Sequence, residues 1–516
     1  MSLPNGYSIN SPPSESGEDE EPLIKNNPGK FAIFLFIYHV ISDNNYQRRR
    51  SPLLLDFNEA PICCSARLNL AILMFLGFSV VYGLRVNLSV AMVAMVNTTD
   101  PDATKNSSVI HACPLPSGAE NGSQTFQQPY PWDSETQGWL LGAFFFGYLC
   151  TQIPGGYLAG HYGGSIFLGL GVLGTAVLTL FTPLAAKWGS YWLFALRALE
   201  GFGEGVTFPA MMAMWARWAP PLERSRLTTL SGSGSSFGAF LALPLTGYIC
   251  EQLGWPAVFY ICGGAGCFWA VLWFAFVSDD PRTHRRISDE ERDYIINSIG
   301  PQVKHLFSGT GHGWTLPLLS MMLSVPLWAI ILTQMSANWA FYTLLTSLPT
   351  YMSDILHFDL QSNGFLSALP YLGSLVVSLL SAVAADILIE RKVFSLVLPA
   401  VFLVAVNYAG CDHILTVTFF TLSSSLGGTS APGVYINQID IAPRYAGFLL
   451  GITNTFGTIP GVLAPITKIS VFWVAAGINL GGAIIYLLLG TADIQPWANP
   501  DEEGVRQQKR RGESIS

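Results

Sequence analysis

The sequence predicts an all-α membrane protein with twelve transmembrane helices arranged as two six-helix bundles. Three observations carry that expectation. Of the 516 residues, 50% are hydrophobic and only 12% are charged, about half the charged fraction of an ordinary soluble domain. Apolar stretches close to the ~20 residues that cross a bilayer recur along most of the chain. They fall into two groups of six on either side of one long polar segment.

The first group comprises spans at about 68–96, 136–159, 164–186, 190–214, 227–250 and 255–278. The second comprises 326–352, 363–385, 393–411, 413–435, 444–466 and 469–490. Between them, Pro281, a His/Arg cluster from Arg282 to Arg286 and the charged, helix-compatible stretch from Ser288 to Asn297 read as a linker. The chain therefore divides into a disordered tail carrying a sorting signal (1–66), a first bundle (67–278) with a glycosylated loop at 97–135, a linker (279–325), a second bundle (326–490) and a second tail (491–516).

Lys and Arg fix the orientation, because positive loops stay on the cytosolic side. Lys105, Lys187 and Lys468 fall on one side of the spans and Arg85 and Arg197 within them, while the other 21 of the 26 cations fall on the opposite side, with both tails and the linker. Both termini and the linker are thus expected in the cytosol. The loop from Asn97 to Glu135 agrees, since Asn97, Asn106 and Asn121 each begin an N-x-S/T sequon, a mark of a lumenal surface. The apolar stretch Phe31–Ile41 is too short to span and has no basic region ahead of it, so no signal peptide is expected. In the acidic N-terminal tail, Asp19, Leu23 and Ile24 fit an acidic dileucine address of the kind clathrin adaptors read, and the other reading is a merely disordered tail. Leu53-Leu54 is the weaker candidate.

Several functions are excluded. No block of Lys/Arg is long enough to track phosphates, so nucleic acid is not a partner. The eight cysteines have neither metal-site nor redox-pair spacing, so no metal, cofactor or disulfide framework is expected. Cys63 and Cys64, just before the first span, are either palmitoylation sites or idle thiols. All eight histidines fall in tails, loops or span ends, which leaves no nucleophile with a base inside the membrane and argues against an enzyme.

Ionisable groups within a span are costly and mark functional sites. Arg85 lies in the middle of the first span, with Phe78 and Tyr82 on the preceding turns. Its guanidinium either clamps a carboxylate or phosphate, or pairs with an acid on a neighbouring helix. In the fourth span, Arg197, Glu200 and Glu204 are spaced by three and four residues, which puts them on one helical face. Burial disfavours the charged form of a carboxyl, so its protonation answers to a pH difference across the membrane. Glu200 either carries a proton or neutralises Arg197; Glu204, with no cation following it at helical spacing, is the stronger proton-coupling candidate. Gly201, Gly203, Gly205 and Pro209 suit close helix approach and a loosened backbone. Phe144, Phe145 and Tyr148 in the second span, with Asn338, Trp339, Phe341 and Tyr342 in the seventh, are candidate walls of a pocket or packing residues.

Several motifs resemble a known family. Arg85-Val86-Asn87-Leu88-Ser89-Val90, Gln137-Gly138-Trp139, Thr151-Gln152-Ile153-Pro154-Gly155-Gly156 and Gly203-Glu204-Gly205-Val206-Thr207-Phe208-Pro209-Ala210 are similar to those of the organic anion transporter family of the major facilitator superfamily. So are Trp218-Ala219-Pro220-Pro221-Leu222-Glu223-Arg224-Ser225, Leu348-Pro349-Thr350-Tyr351 and Asp440-Ile441-Ala442-Pro443-Arg444-Tyr445-Ala446-Gly447. The resemblance runs from about 60 to 492 and is nearest to the family's lysosomal sialic acid exporters, through Cys63-Cys64-Ser65-Ala66-Arg67 and Gly410-Cys411-Asp412.

It implies a monomeric carrier of sialic acid or another monocarboxylate anion, coupled to protons and working by alternating access in the lysosomal membrane, with synaptic vesicle and plasma membrane as alternative sites. Vesicular aspartate/glutamate transport and sodium-coupled phosphate or organic anion transport are the alternative activities. It assigns the substrate to Arg85, with Tyr82, Phe144, Phe145, Tyr148 and Asn338 around it, and proton coupling to Glu200 and Glu204, with Arg197 in a structural ion pair. The family's gating motif usually has an aspartate where this chain has Gly160; the matching acid is Asp386, followed by Arg391 and Lys392, so gating charge is expected in the second half. Met212 stands where relatives have a histidine, and Ala337 where glutamate carriers have an arginine. The connections after the eighth and eleventh spans are shorter than the family's, and residues 25–50 read as an insertion.

Overall fold

The computed structural model describes residues 65–96, 130–220, 223–299, 318–354, 360–383, 394–409, 412–428, 438, 441–442, 445–463, 471–491 and 495–498. Helices occupy all twelve expected spans. In the first half these are α1 (Ala66–Met95), α2 (Ser134–Tyr162), α3 (Gly164–Leu180) continued by α4 (Thr182–Trp188), α5 (Ser190–Glu204) continued by α6 (Thr207–Trp218), α7 (Arg224–Leu253) and α8 (Trp255–Phe276). The linker holds α9 (Asp289–Ile299) and α10 (Leu318–Met322). The second half supplies α11 (Val325–Asp354), α12 (Leu360–Val383), α13 (Phe394–Ala409), α14 (His413–Gly427), α15 (Ala446–Leu463) and α16 (Val471–Leu489). Among the described residues the only β-type contact is an isolated bridge between Val96 and Tyr130.

Local chemistry sets the helix ends. Ser65, Asp133 and Asp412 cap α1, α2 and α14, each accepting the backbone N–H three residues on, which satisfies donors that a helix start leaves free. Gly163, Gly189 and Gly254, with φ of 108°, 126° and 83°, turn the chain between successive spans in a region that other residues avoid.

Two spans are interrupted. The third bends by 48° where α3 gives way to α4, next to Pro183. The fourth is irregular at Gly205 and Val206, directly after Glu204, and there the Thr207 hydroxyl donates to the Glu204 carbonyl at 2.8 Å. A side chain thus satisfies a backbone group at the break, as irregular backbone inside a membrane requires.

Glycines bring α5 against α2. Gly147 faces the Ala198 carbonyl, Gly201 faces the Phe144 carbonyl, and Gly205 faces the Tyr148 carbonyl, at positions where a Cβ would collide. The two backbones therefore meet, and the acidic face of α5 lies against the aromatic stripe of α2. The bundles join along α2 and α15, where Gly156 abuts the Gly447 carbonyl and Gly461 abuts the Phe145 ring, and along α7 and α12, where Gly364 abuts Leu243.

The linker is fastened to the first bundle. Glu291 of α9 accepts the backbone N–H groups of Ala66 at 2.9 Å and Arg67 at 3.1 Å. Buried Arg67 pairs with Glu223 at 3.1 Å and stacks over Tyr294, 4.9 Å from its centroid. This end of the molecule is called the linker end below; the opposite end, at Val96 and Tyr130, is called the sequon end.

Large apolar side chains cover the outside, among them Phe268 and Val271 at 66% exposure and Leu488 at 76%. Such a surface suits hydrocarbon rather than water. Among the described residues, Ala66–Met95, Trp255–Phe276, Ser362–Leu380 and Ala446–Leu463 are each long and apolar enough to cross a membrane alone, and the bent third span makes a fifth. The two pieces of the fourth span, 15 and 12 residues long, are each too short to cross alone.

Candidate functional site

Arg85 sits on α1 with its side chain 2% exposed and forms an ion pair with Glu204 of α5. Its guanidinium carbon lies 4.6 Å from the Tyr82 ring centroid, 4.7 Å from those of Phe144 and Tyr148, and 6.0 Å from that of Phe145. A cation walled by π faces is held electrostatically without being hydrated. The pair is nevertheless not saturated: Glu204 Oε2 accepts no hydrogen bond, and Arg85 Nε and Nη1 find no acceptor among the described residues.

The second pair is more fully engaged. Arg197 Nη1 meets Glu200 Oε2 at 2.6 Å, and Thr182 donates to Glu200 Oε1 at 3.2 Å. Arg197 also donates to the carbonyls of Arg85 at 3.0 Å and Leu84 at 3.4 Å. It therefore anchors the stretch of α1 that carries Arg85. Two cations and two carboxylates share one buried cluster, so their charges balance where an unpaired one would be expensive.

A cavity of about 210 Å³ lies between the two halves. Tyr82, Tyr148, Phe208 and Met211 wall it on the first-bundle side, and Gln334, Asn338, Phe341, Tyr342, Asn454 and Asn479 on the other. It reaches toward the linker end through Thr228, Gly232 and Gly428. Toward the sequon end, a void of about 10 Å³ is lined by Arg85, Ser89, Leu141, Phe144, Phe145, Arg197, Leu345 and Thr346. Arg85 thus stands at the boundary between the small void, which it lines, and the cavity, which is lined by the Tyr82 and Tyr148 rings packed on it.

A chain of amides joins this boundary to the second bundle. Gln438 donates to Gln334 at 3.1 Å, Gln334 to Asn454 at 3.1 Å, and Asn454 to the Tyr148 hydroxyl at 3.3 Å. Gln152 of α2 donates to Thr458 at 2.9 Å, and Asn338 donates to the Gly457 carbonyl at 2.9 Å. Buried polar groups need such partners, and here the Asn454–Tyr148 and Gln152–Thr458 bonds cross between the bundles while the others stay within the second.

Of the residues singled out in the sequence, Tyr82, Tyr148 and Asn338 line the cavity, whereas Phe144 and Phe145 stack on Arg85 and face the small void instead. Met212 and Ala337 both belong to the cavity wall. Asp386 and Arg391, the sorting residues Asp19, Leu23 and Ile24, and the sequons at Asn97, Asn106 and Asn121 lie outside the described residues. The sequence reading quoted Gln152 within a motif but gave it no role, and missed Gln334, Gln438 and Asn454. Their signal was available, since an amide within an apolar span is itself unusual. No group of three or more His, Cys, Asp or Glu side chains able to hold a metal occurs among the described residues.

Comparison with known proteins places this geometry. Residues 70–465 match the Major Facilitator Superfamily. The chain is 50% identical to sialin of Homo sapiens over 495 residues, covering 90% of this chain and 98% of that protein. It is 36% identical over 463 residues to sodium-dependent phosphate transport protein 3 of Mus musculus, covering 84% and 96%. Among solved structures, the inward open conformation of the xylose transporter XylE from E. coli superposes with a TM-score of 0.59 at 14% identity, covering 82% of this chain and 96% of that one.

Proposed function

The chain belongs to the Major Facilitator Superfamily, and from that premise we propose that it is a proton-coupled secondary transporter exporting sialic acid and related acidic sugars from lysosomes by alternating access. Similarity to sialin supports the substrate class. The observation that carries the mechanism is the incompletely bonded Arg85–Glu204 pair, packed against the Tyr82 and Tyr148 rings that wall the cavity.

One cation is available to two carboxylates. With Glu204 ionised, Arg85 is neutralised by its own protein and offers little to an incoming anion. When Glu204 takes a proton on the acidic lumenal side, the pair loses its Coulomb attraction and the guanidinium turns to the substrate carboxylate, which it fits bidentately. Exposure to neutral cytosol removes the proton, Glu204 reclaims Arg85, and the anion leaves. The Lys/Arg distribution puts the linker end in the cytosol, so the cavity corresponds to the cytosol-facing state. Arg197 and Glu200 act one step back, holding the Arg85 segment of α1, with Glu200 contributing to proton coupling through that contact.

Outside the described residues we assign Asp386 and Arg391 to gating, Asp19, Leu23 and Ile24 to sorting through a clathrin adaptor, and Asn97, Asn106 and Asn121 to lumenal glycosylation.

The test replaces Leu23 and Ile24 with alanine to expose the protein at the cell surface and follows labelled sialic acid uptake at acidic and neutral external pH. Acid-stimulated, sodium-independent uptake is expected. Uptake that requires sodium and ignores pH would replace sialic acid export with the activity in the mouse relative's name.

A further inference from the structure

We propose that Ser288, in the linker, is a phosphorylation site for an arginine-directed serine/threonine kinase. The proposal rests on the cytosolic placement of the linker and is independent of which anion is carried. Arg285-Arg286-Ile287-Ser288 sets two arginines three and two residues before a hydroxyl. Kinases of this class read such a guanidinium pair through acidic subsites, by the charge-assisted bonding that arginine favours.

The local structure presents the motif. Residues 277–288 contain no helix, and Arg285, Arg286 and Ser288 are all exposed. Ser288 directly precedes α9, and its Oγ accepts the Glu291 N–H at 3.2 Å, a long bond that is cheap to give up. Asp289 and Glu290, which follow, are exposed first-turn residues, where fraying into a kinase cleft costs little.

The surroundings also accommodate the product. Ser288 lines a cavity of about 400 Å³ together with Arg286, His284, Asn69 and Trp218. The Arg286 guanidinium already lies over the Phe276 ring at 4.8 Å, and the Arg286 backbone N–H donates to His284 Nδ1 at 3.3 Å. In the reaction, Ser288 Oγ bonds to the γ-phosphorus of Mg-ATP while the bond from that phosphorus to the β-phosphate oxygen breaks; the hydroxyl proton passes to the kinase's carboxylate base and ADP leaves. The phosphate brings about −1.5 to −2 charges to the start of α9, three residues from the Glu291 carboxylate that grips Ala66 and Arg67. Modification therefore acts where the linker holds the first span.

The experiment incubates purified full-length protein with the catalytic subunit of cyclic-AMP-dependent protein kinase and Mg-ATP, and maps phosphate by peptide mass spectrometry. Mapping is needed because Ser51 follows Arg48 and Arg49 with the same spacing. Phosphate is expected on Ser288 and is lost in Ser288→Ala. The double variant Arg285→Ala/Arg286→Ala should slow labelling of Ser288 by about tenfold or more while Ser51 is labelled as before. Failure to label Ser288, whatever happens at Ser51, overturns the proposal, as does labelling of the double variant at the unsubstituted rate.

Discussion

At the scale of single residues, the behaviour of the site follows from how completely each charge is partnered. Arg85 gives one nitrogen to Glu204, and its Nε and Nη1 have no acceptor of good geometry among the described residues, which the proposed binding of a second anion requires. Arg85→Ala should lower sialic acid uptake by about 10- to 150-fold, the equivalent of the 1.5–3 kcal/mol that a hydrogen bond to a charged group contributes, and initial-rate uptake at fixed surface expression measures it. Arg197 is different, because its partners are all protein groups. Arg197→Met strands the Glu200 carboxylate and should destabilise the protein by about 3–5 kcal/mol. The double variant Arg197→Met/Glu200→Leu should unfold at a higher temperature in detergent than the single one. Arg85, Glu200 and Glu204 each stood out in the sequence as charges within apolar spans. The Glu200–Arg197 pair was legible from helical spacing, but the identity of Arg85's partner was not: Arg85 and Glu204 are 119 positions apart, and helical spacing relates only neighbours on one helix.

At the scale of elements, the carboxyls of α5 reach α1 because α2 lets α5 come close. Gly147 and Gly201 fill the crossing, with carbonyls of the opposite helix where a Cβ would go. Gly201→Ala should push the helices apart and cost about 1–3 kcal/mol from overpacking, more than the ~1 kcal/mol alanine returns in helix propensity. Gly174→Ala, with nothing within 4 Å of the new Cβ, should be neutral or slightly stabilising; thermal unfolding of the two variants separates the cases. The twelve spans were visible in the sequence because each needs a long apolar run, and their ends moved by only a few residues at most described boundaries. The interruptions at Phe181 and at Gly205–Val206 were not visible as breaks. Apolarity continues through the first, and in the second only the glycines and Pro209 hinted at a loosened backbone, with nothing local to place the break after Glu204.

At the scale of the whole molecule, the cavity toward the linker end and the small void beside Arg85 fit one half of the proposed alternating cycle. The amide chain from Gln438 through Gln334 and Asn454 to Tyr148 ties the second bundle to the first. Asn454→Leu should therefore weaken the tie between bundles and reduce transport more than it reduces thermal stability, which paired uptake and melting measurements would show. The central claim is that Glu204 and the substrate carboxylate compete for Arg85. A substrate carboxyl with an ordinary α-carboxyl pKa of about 3.3–3.7 stays ionised near neutrality, so any strong pH dependence of binding must come from the protein. The most direct measurement is sialic acid affinity of the purified protein across pH 5 to 8, for the unsubstituted chain and for Glu204→Gln. Affinity that falls as pH rises in the unsubstituted chain, and stays level in Glu204→Gln, is the predicted result; an unchanged pH profile in Glu204→Gln would contradict it.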